Sequence, residues 1–553
     1  MNKIRKRLSD QAVRSRRNFL KNSAQVGGVM IVSNALPKTE ARSVNFPAAA
    51  KSFELEETTV AALQESMKSG KHSARSIAEM YLARIDEIDR SGPKVNSIIE
   101  LNPDALRIAE KLDEERRAGK VRGLLHGVPV LIKDNIDTAD KMQTTAGSLA
   151  LAGSIALRDA FIVERLRAAG AVILGKTNLS EWANFRSSKS VSGWSGRGGL
   201  TRNPYALDRN TSGSSSGSGA ATAANLCVVA IGTETDGSVV SPSSLNSLVG
   251  IKPTLGLLSR AGIIPIAHSQ DTAGPMTRTV ADAALLLGAL TGVDARDEAT
   301  QVSAGKALTD YTKFLDPNGL KGARIGIARN LFGNNEKVDK VINEAIEVIK
   351  RLGAEVIDPA ELPNNGKYGD SETEVLLYEF KADLNKYLAG LGPKAPVKSI
   401  QEVIEFNEKN RDRELAWFGQ DTMIKAAAKG PLTELKYRRA LASNHRLTRA
   451  EGIDAALRKH RLDAIVAPTD GIAWLTDPVN GDHFTGGCST PPAVAGYPHM
   501  TVPAGYRYGL PVGISFFASA WSEGKLIKYA YAFEQATKHR HAPKFLPTAD
   551  LSA

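Results

Sequence analysis

The sequence predicts an α/β protein on three observations: helices and short strands alternate along the body, the strands are continuous apolar runs, and one long charged stretch carries little strand signal. This alternation argues for a layered architecture in which helices cover a central twisted sheet, mixed but largely parallel. Residues 57–89 carry helical spacing and stop near Gly92-Pro93, and 102–117 read as a charged amphipathic helix closed by Gly119. VPVLI, 128–132, is a strand apolar on both faces that ends at the polar Lys133-Asp134-Asn135. Residues 159–170 form a helix feeding the strand AVIL, 171–174. After the turn-like Pro317-Asn318-Gly319, residues 335–460 are charged and helical, an insertion or cap suited to shaping a substrate site. Strand-like runs return at 463–468 and 509–517, so one body over 52–545 is expected, interrupted by that insertion.

Composition is that of a globular chain: 42% hydrophobic and 24% charged in 553 residues. The net charge of +11 is concentrated at the start, where residues 1–41 hold nine Lys or Arg against two Asp or Glu. The rest is near neutral for its size, which argues against a nucleic-acid partner. Ser15-Arg16-Arg17-Asn18-Phe19-Leu20-Lys21 and the apolar stretch after it resemble a twin-arginine export signal, with a cut expected between 35 and 50 and a periplasmic or secreted product. That stretch is short and glycine-rich and no other run approaches spanning length, so no stable membrane insertion is expected. Two cysteines, Cys227 and Cys488, allow one disulfide at most, and the nine histidines show no HExxH spacing. Neither a metal nor a redox cofactor is expected.

Between Ser212 and Pro253 lie two serine-and-glycine-rich turns separated by a small-residue apolar run. Residues this small let a backbone approach its neighbours closely. Serine is a weak nucleophile until a base activates it. Lys133, at the mouth of a buried strand, has two readings: a lysine neutralised by burial that serves as a base, or a strand-end cation paired with Asp134 or another carboxylate.

Together these residues resemble the amidase signature family, serine hydrolases that cleave carboxamides with a Ser-Ser-Lys triad. GVPVLIKDNI at 127–136 is similar to its lysine motif, SGSSSGSGAA at 212–221 to its GGSSGG loop, and GTETDGS at 232–238 to its GTDxGGS turn. The likeness continues through GIKPT, 250–254, SQDTAGPM, 269–276, and VPAG with GLPVG, 502–513. The resemblance implies the family's α/β/α layered fold, with Lys133 as base, Ser214 as bridging serine after a cis Gly213–Ser214 peptide, and Ser238 as nucleophile. It implies an oxyanion site at the backbone of Thr235, Asp236, Gly237 and Ser238, with the Thr233 hydroxyl ordering the network. Ser215, Ser216 and Ser218 are expected to be structural.

Three positions depart from the family pattern: Glu234 for its aspartate, Asp236 for a glycine, and Val240 for an arginine. GTETDGS, SGWSGRGG at 192–199 and TRNPYALDR at 201–209 resemble bacterial peptide amidases, which remove a C-terminal amide and release ammonia. Aryl or acyl amides, the glutaminase subunit of a tRNA-dependent amidotransferase, and an exported binding protein of the same fold are the alternatives. GSSSG at 213–217 also fits the GxSxG nucleophile elbow with Ser215 attacking, although an elbow needs a strand before it and 203–212 is polar and proline-containing. A phosphate-cradling loop lacks the expected GK[ST].

Overall fold

The structure, a computed structural model, describes residues 52–552. The export-signal reading, on residues 1–41, lies outside the described residues. A mixed eleven-stranded sheet carries the fold. Its first half contains β1 (Ile98–Leu101), β2 (Pro129–Lys133) and β3 (Val172–Thr177); β4 (Trp194–Ser195) and β5 (Gly199–Leu200) pair only with each other; then come β6 (Val229–Glu234), β7 (Val249–Lys252) and β8 (Thr272–Thr277). The second half is β9 (Arg324–Ile327), β10 (Glu355–Ile357), β11 (Ala464–Pro468), β12 (His499–Arg507) and β13 (Leu510–Phe517). The strand order is β1-β3-β2-β6-β8-β7-β12-β13-β11-β9-β10.

Parallel pairing occurs in two groups, β3-β2-β6 and β11-β9-β10, and the strands between them pair antiparallel. The parallel groups need crossovers, and the helix Phe161–Ala168 supplies the one between β2 and β3. The antiparallel hairpin β12–β13 needs only two residues, Tyr508 and Gly509, both at positive φ as a hairpin twisting with its strands requires. Strand β2 is buried along its whole length, which explains its unbroken apolar run.

Four helices matter for the site: α1 (Ser216–Ala223), α2 (Val240–Leu245), α3 (Glu336–Arg351) and α4 (Gly369–Gly390). Helix α1 is buried along its whole length, and its glycines permit this: a Cβ on Gly217 would lie 2.3 Å from the Ser97 carbonyl oxygen and 2.6 Å from the Asn178 nitrogen. Residues 335–460 hold helices joined by loops and one strand, the edge strand β10, and α3 lays Val338, Val341, Ile342, Ala345, Ile346 and Ile349 toward the core at helical spacing. The single helical pattern over 57–89 is interrupted, with helices at Val60–Lys68 and Ala74–Arg84. Ser73 restarts the helix because its hydroxyl and that of Ser76 cap each other's backbone N–H groups. Cys227 and Cys488 are both free and buried, so the one disulfide the count allowed does not form.

Arg186 fastens the helical insertion to the body. Its guanidinium, fully buried, donates to Glu181 (2.6 Å), to the Glu414 carbonyl (2.6 Å) and to the Phe418 carbonyl (3.1 Å), and lies 4.1 Å from the Phe418 ring centroid. Removing one partner of such a network leaves uncompensated buried groups, so Arg186→Ala is expected to lower the free energy of urea unfolding by about 3–5 kcal/mol. An unchanged urea midpoint would refute this anchoring.

Candidate active site

Lys133 closes β2 and points its buried Nζ at three oxygens: Ser214 Oγ at 2.8 Å, Thr233 Oγ1 at 2.9 Å and the Thr233 carbonyl at 3.2 Å. Parallel pairing sets this arrangement: β2 and β6 run side by side from Val130–Val229 to Ile132–Ile231, and β6 continues to Glu234, carrying Thr233 past the end of β2 to where the Lys133 side chain reaches it. Asn135 Nδ2 donates to the same Thr233 hydroxyl (3.0 Å). An ammonium has three protons for those three acceptors; a neutral amine has two protons and a lone pair that accepts the Ser214 O–H. Burial lowers the Lys133 pKa to about 7, with Asp271 and Glu234 acting against it.

Among the described residues no carboxylate pairs with Lys133, whose Nζ partners are two hydroxyls and a carbonyl. Asp134 instead accepts the Thr145 hydroxyl and the Gly147 N–H (3.2 Å) and faces Arg197 (3.5 Å).

The Gly213–Ser214 peptide is cis, and the Ser214 carbonyl accepts from Ser180 N (3.1 Å). The neighbouring serines are structural. Ser215 Oγ donates to the Thr233 carbonyl (3.0 Å) and accepts Thr233 N–H (3.1 Å), Ser216 Oγ donates to the Ser212 carbonyl (2.6 Å), and Ser218 Oγ bonds to the Ile231 carbonyl (3.1 Å). No strand precedes Ser215, and its hydroxyl is spent on β6, which removes the nucleophile-elbow reading.

Ser238 lies just before α2 and lines a polar cavity of 710 Å³ with Ser212, Gly213, Thr235, Asp236 and Gly237. Ser215 N donates to the Ser238 carbonyl (3.2 Å), which places the two serine loops against each other. Among the described residues no hydrogen bond joins the Ser214 and Ser238 hydroxyls. The N–H groups of Asp236, Gly237 and Ser238 likewise have no protein acceptor among the described residues, so this turn presents donors to whatever the cavity holds. Gly237 has φ +77°, and a Cβ there would meet Ser489 Oγ at 3.0 Å, so both backbone and space call for glycine.

Sequence reasoning missed the groups that hold this turn. Glu234 Oε2 accepts the N–H groups of Val239 (2.8 Å) and Val240 (3.1 Å), placing a carboxylate at the start of α2 just behind Ser238. Asp271 accepts the Thr235 hydroxyl (2.6 Å) and the N–H groups of Ile266 and Ala267, and burial raises its carboxyl to about 6. Ser489 (2.5 Å) and Thr490 (2.7 Å) each donate a hydroxyl to a different oxygen of Asp236. Gln270 and Asp271 sit inside the recognisable SQDTAGPM, whereas Ser489 and Thr490 carry no local signal. Val240 is fully buried, so no cation stands at that position.

A family model described as Amidase matches residues 77–527. The chain belongs to the amidase family. Its fold is similar to the solved structure of native peptide amidase from Stenotrophomonas maltophilia, at 52% identity and a TM-score of 0.86, covering 89% of this chain and 100% of that one. It is also similar to a probable amidase of Arabidopsis thaliana, 43% identical over 504 residues that cover 89% of this chain and 93% of the relative. A glutamyl-tRNA(Gln) amidotransferase subunit from Thermoanaerobacter pseudethanolicus is 33% identical, with 89% and 99% covered. The amidase is thus a hydrolase of carbon–nitrogen bonds, and its layered α/β fold is that of the family. No helix among the described residues is long and apolar enough to cross a membrane.

Proposed function

We propose that this amidase removes the C-terminal amide of peptides and releases ammonia, through an acyl-enzyme on Ser238. The observation that carries the reading is the fully buried Lys133 Nζ, 2.8 Å from Ser214 Oγ and held at a pKa of about 7, beside a serine that faces an open cavity under unpaired N–H groups.

In this reading neutral Lys133 takes the proton of Ser214, which takes that of Ser238 as Ser238 Oγ adds to the amide carbon. The relay step requires the Ser238 hydroxyl to donate to Ser214 Oγ. The N–H groups of the 235–238 turn receive the oxyanion, an effect worth about 3–4 kcal/mol for a critical donor. Collapse breaks the C–N bond, the relay returns its proton to nitrogen, and ammonia leaves neutral. Water then enters by the same route, and the carboxylic acid departs.

Peptide amides are favoured over aryl or acyl amides by the 52% identity to a solved peptide amidase and by the polar walls of the cavity. Export by the twin-arginine route rests on residues 1–41 and on the sequence alone. Ammonia release by the purified single chain tests the substrate assignment, across peptide amides, aliphatic amides, anilides and glutamine. Preferred turnover of peptide amides supports it. Preference for an anilide or for glutamine would overturn it while leaving the hydrolase in place.

A further inference from the structure

We infer that the loop 474–484 forms a subsite for the residue that precedes the amidated one, with Phe484 receiving an apolar or aromatic side chain there. The inference rests on the peptide-amide reading and names the peptides it favours.

The motifs SGWSGRGG and TRNPYALDR take no part in the chemistry at Ser238, and their contacts show what they hold. Asp482 accepts the Ser192 N–H (3.0 Å) and hydroxyl (2.6 Å), the Asn210 side-chain amide (3.3 Å) and the Trp474 indole N–H (3.1 Å). Asn210 N donates to the Trp474 carbonyl (2.8 Å) and Thr476 N to the Asp208 carbonyl (3.1 Å), while Arg209 and Leu475 pair as an isolated antiparallel bridge. The first motif and the end of the second thus fasten one loop at Trp474–Thr476 and again at Asp482. Between these anchors Asp477 closes the tip on itself, accepting the N–H groups of Val479 (2.8 Å) and Asn480 (3.0 Å) and the Asn480 side-chain amide (2.6 Å).

This loop is one wall of the catalytic cavity. Trp474, Asn480, Gly481, Asp482 and Phe484 line it together with Ser238. The first four of these also line an outer depression of 470 Å³, together with Arg209 and Leu475. The catalytic cavity, at 710 Å³, lies in the range that encloses a drug-sized ligand, more than a single amino acid amide fills. A substrate that fills it therefore extends beyond its amidated residue.

Phe484 marks where that extension gains most. Among the described residues it is the one exposed large apolar side chain in the lining of this cavity, at 54%, and its ring stands edge-to-face on the buried Trp474 at 6.0 Å between centroids. Trp474 in turn is fixed by its indole N–H on Asp482, so the aromatic pair is built before a substrate arrives. An apolar side chain laid on the Phe484 ring removes both surfaces from water, whereas a polar one gains nothing there. In a peptide whose amide carbon faces Ser238, the preceding residue is the next part of the chain within the same cavity.

The test is kcat and KM for ammonia release from acetyl-alanine amide, acetyl-alanyl-alanine amide and acetyl-phenylalanyl-alanine amide, with the parent, Phe484→Ser, Phe484→Leu and Val479→Ser. The parent is expected to favour the phenylalanyl over the alanyl dipeptide amide by about tenfold in kcat/KM, chiefly through KM. Phe484→Ser should bring that ratio to within about twofold, and Phe484→Leu should leave an intermediate ratio. Val479→Ser, on the same loop but 87% exposed and in the lining of neither cavity, should keep the parental ratio. A parental ratio in Phe484→Ser, or equal loss on all three substrates, would overturn the subsite, as would a parent that does not distinguish the two dipeptide amides. Should Phe484→Ser fail to fold, the ratio in Phe484→Leu decides, and a value equal to the parent's refutes the assignment. Preference for an anilide or glutamine over all three peptide amides would instead sink the substrate reading on which the subsite rests.

Discussion

Ser238→Ala is expected to abolish ammonia release, lowering kcat by on the order of 10⁶-fold where the nucleophile acts as a unit with its relay. The loss should fall on kcat, with substrate binding retained, because the turn N–H groups and the cavity walls remain. Ser238 makes no side-chain hydrogen bond among the described residues, so its hydroxyl contributes little to stability and the variant should melt with the parent. That combination separates a nucleophile from a structural serine. Ser215→Ala is the contrast: it deletes a hydroxyl bridging to Thr233 N and O and should cost stability without removing the reacting atom. Turnover retained in Ser238→Ala, measured as ammonia and as acid product, would refute the mechanism.

Lys133→Met carries the second large effect. A general base contributes roughly 10²–10⁴-fold, so kcat should fall by about that factor. The pH dependence gives the sharper test. Lys133 acts as a base only when neutral, and its pKa is lowered to about 7, so in the parent kcat/KM should rise with pH through 7 and level off above it. The sign follows from burial, which disfavours the ammonium and brings the working form into reach at neutral pH. In Lys133→Met the residual activity should lose this acid limb. The variant should fold, because an apolar chain of similar length replaces a buried amine, although the Ser214 and Thr233 oxygens each lose a donor. A parental acid limb persisting in Lys133→Met would assign that limb to another group, with Asp271 at about 6 the nearest candidate.

The strands at 129–133, 172–177, 464–468 and 510–517 were legible within one to three residues because strands buried on both faces read as unbroken apolar runs. The pairing directions were not, since direction depends on the order in which distant strands meet. Lys133, Ser214, Thr233 and Ser238 were legible because each sits in a short contiguous motif. The two readings of Lys133 could not be separated in sequence: Asp134 is its neighbour in the chain, yet it serves Thr145, Gly147 and Arg197. The break in the helical pattern at 69–73 was missed because helical spacing continues across it, and Ser73 restarts the helix by capping.

By itself the sequence determined the chemistry available to this protein: a lysine at the end of a buried strand, two serine-bearing glycine turns in order, and hence a family of carbon–nitrogen hydrolases. These are local properties, set by residue types a few positions apart. Only the tertiary structure decided what holds the chemistry in place. Glu234 capping α2, Asp271 on the Thr235 hydroxyl, and Gln270 reaching a glutamate 102 residues away are contacts between segments whose separation follows no periodicity. The same is true of Lys133 itself, whose lowered pKa comes from burial by a whole sheet and its covering helices, a property no window of residues contains.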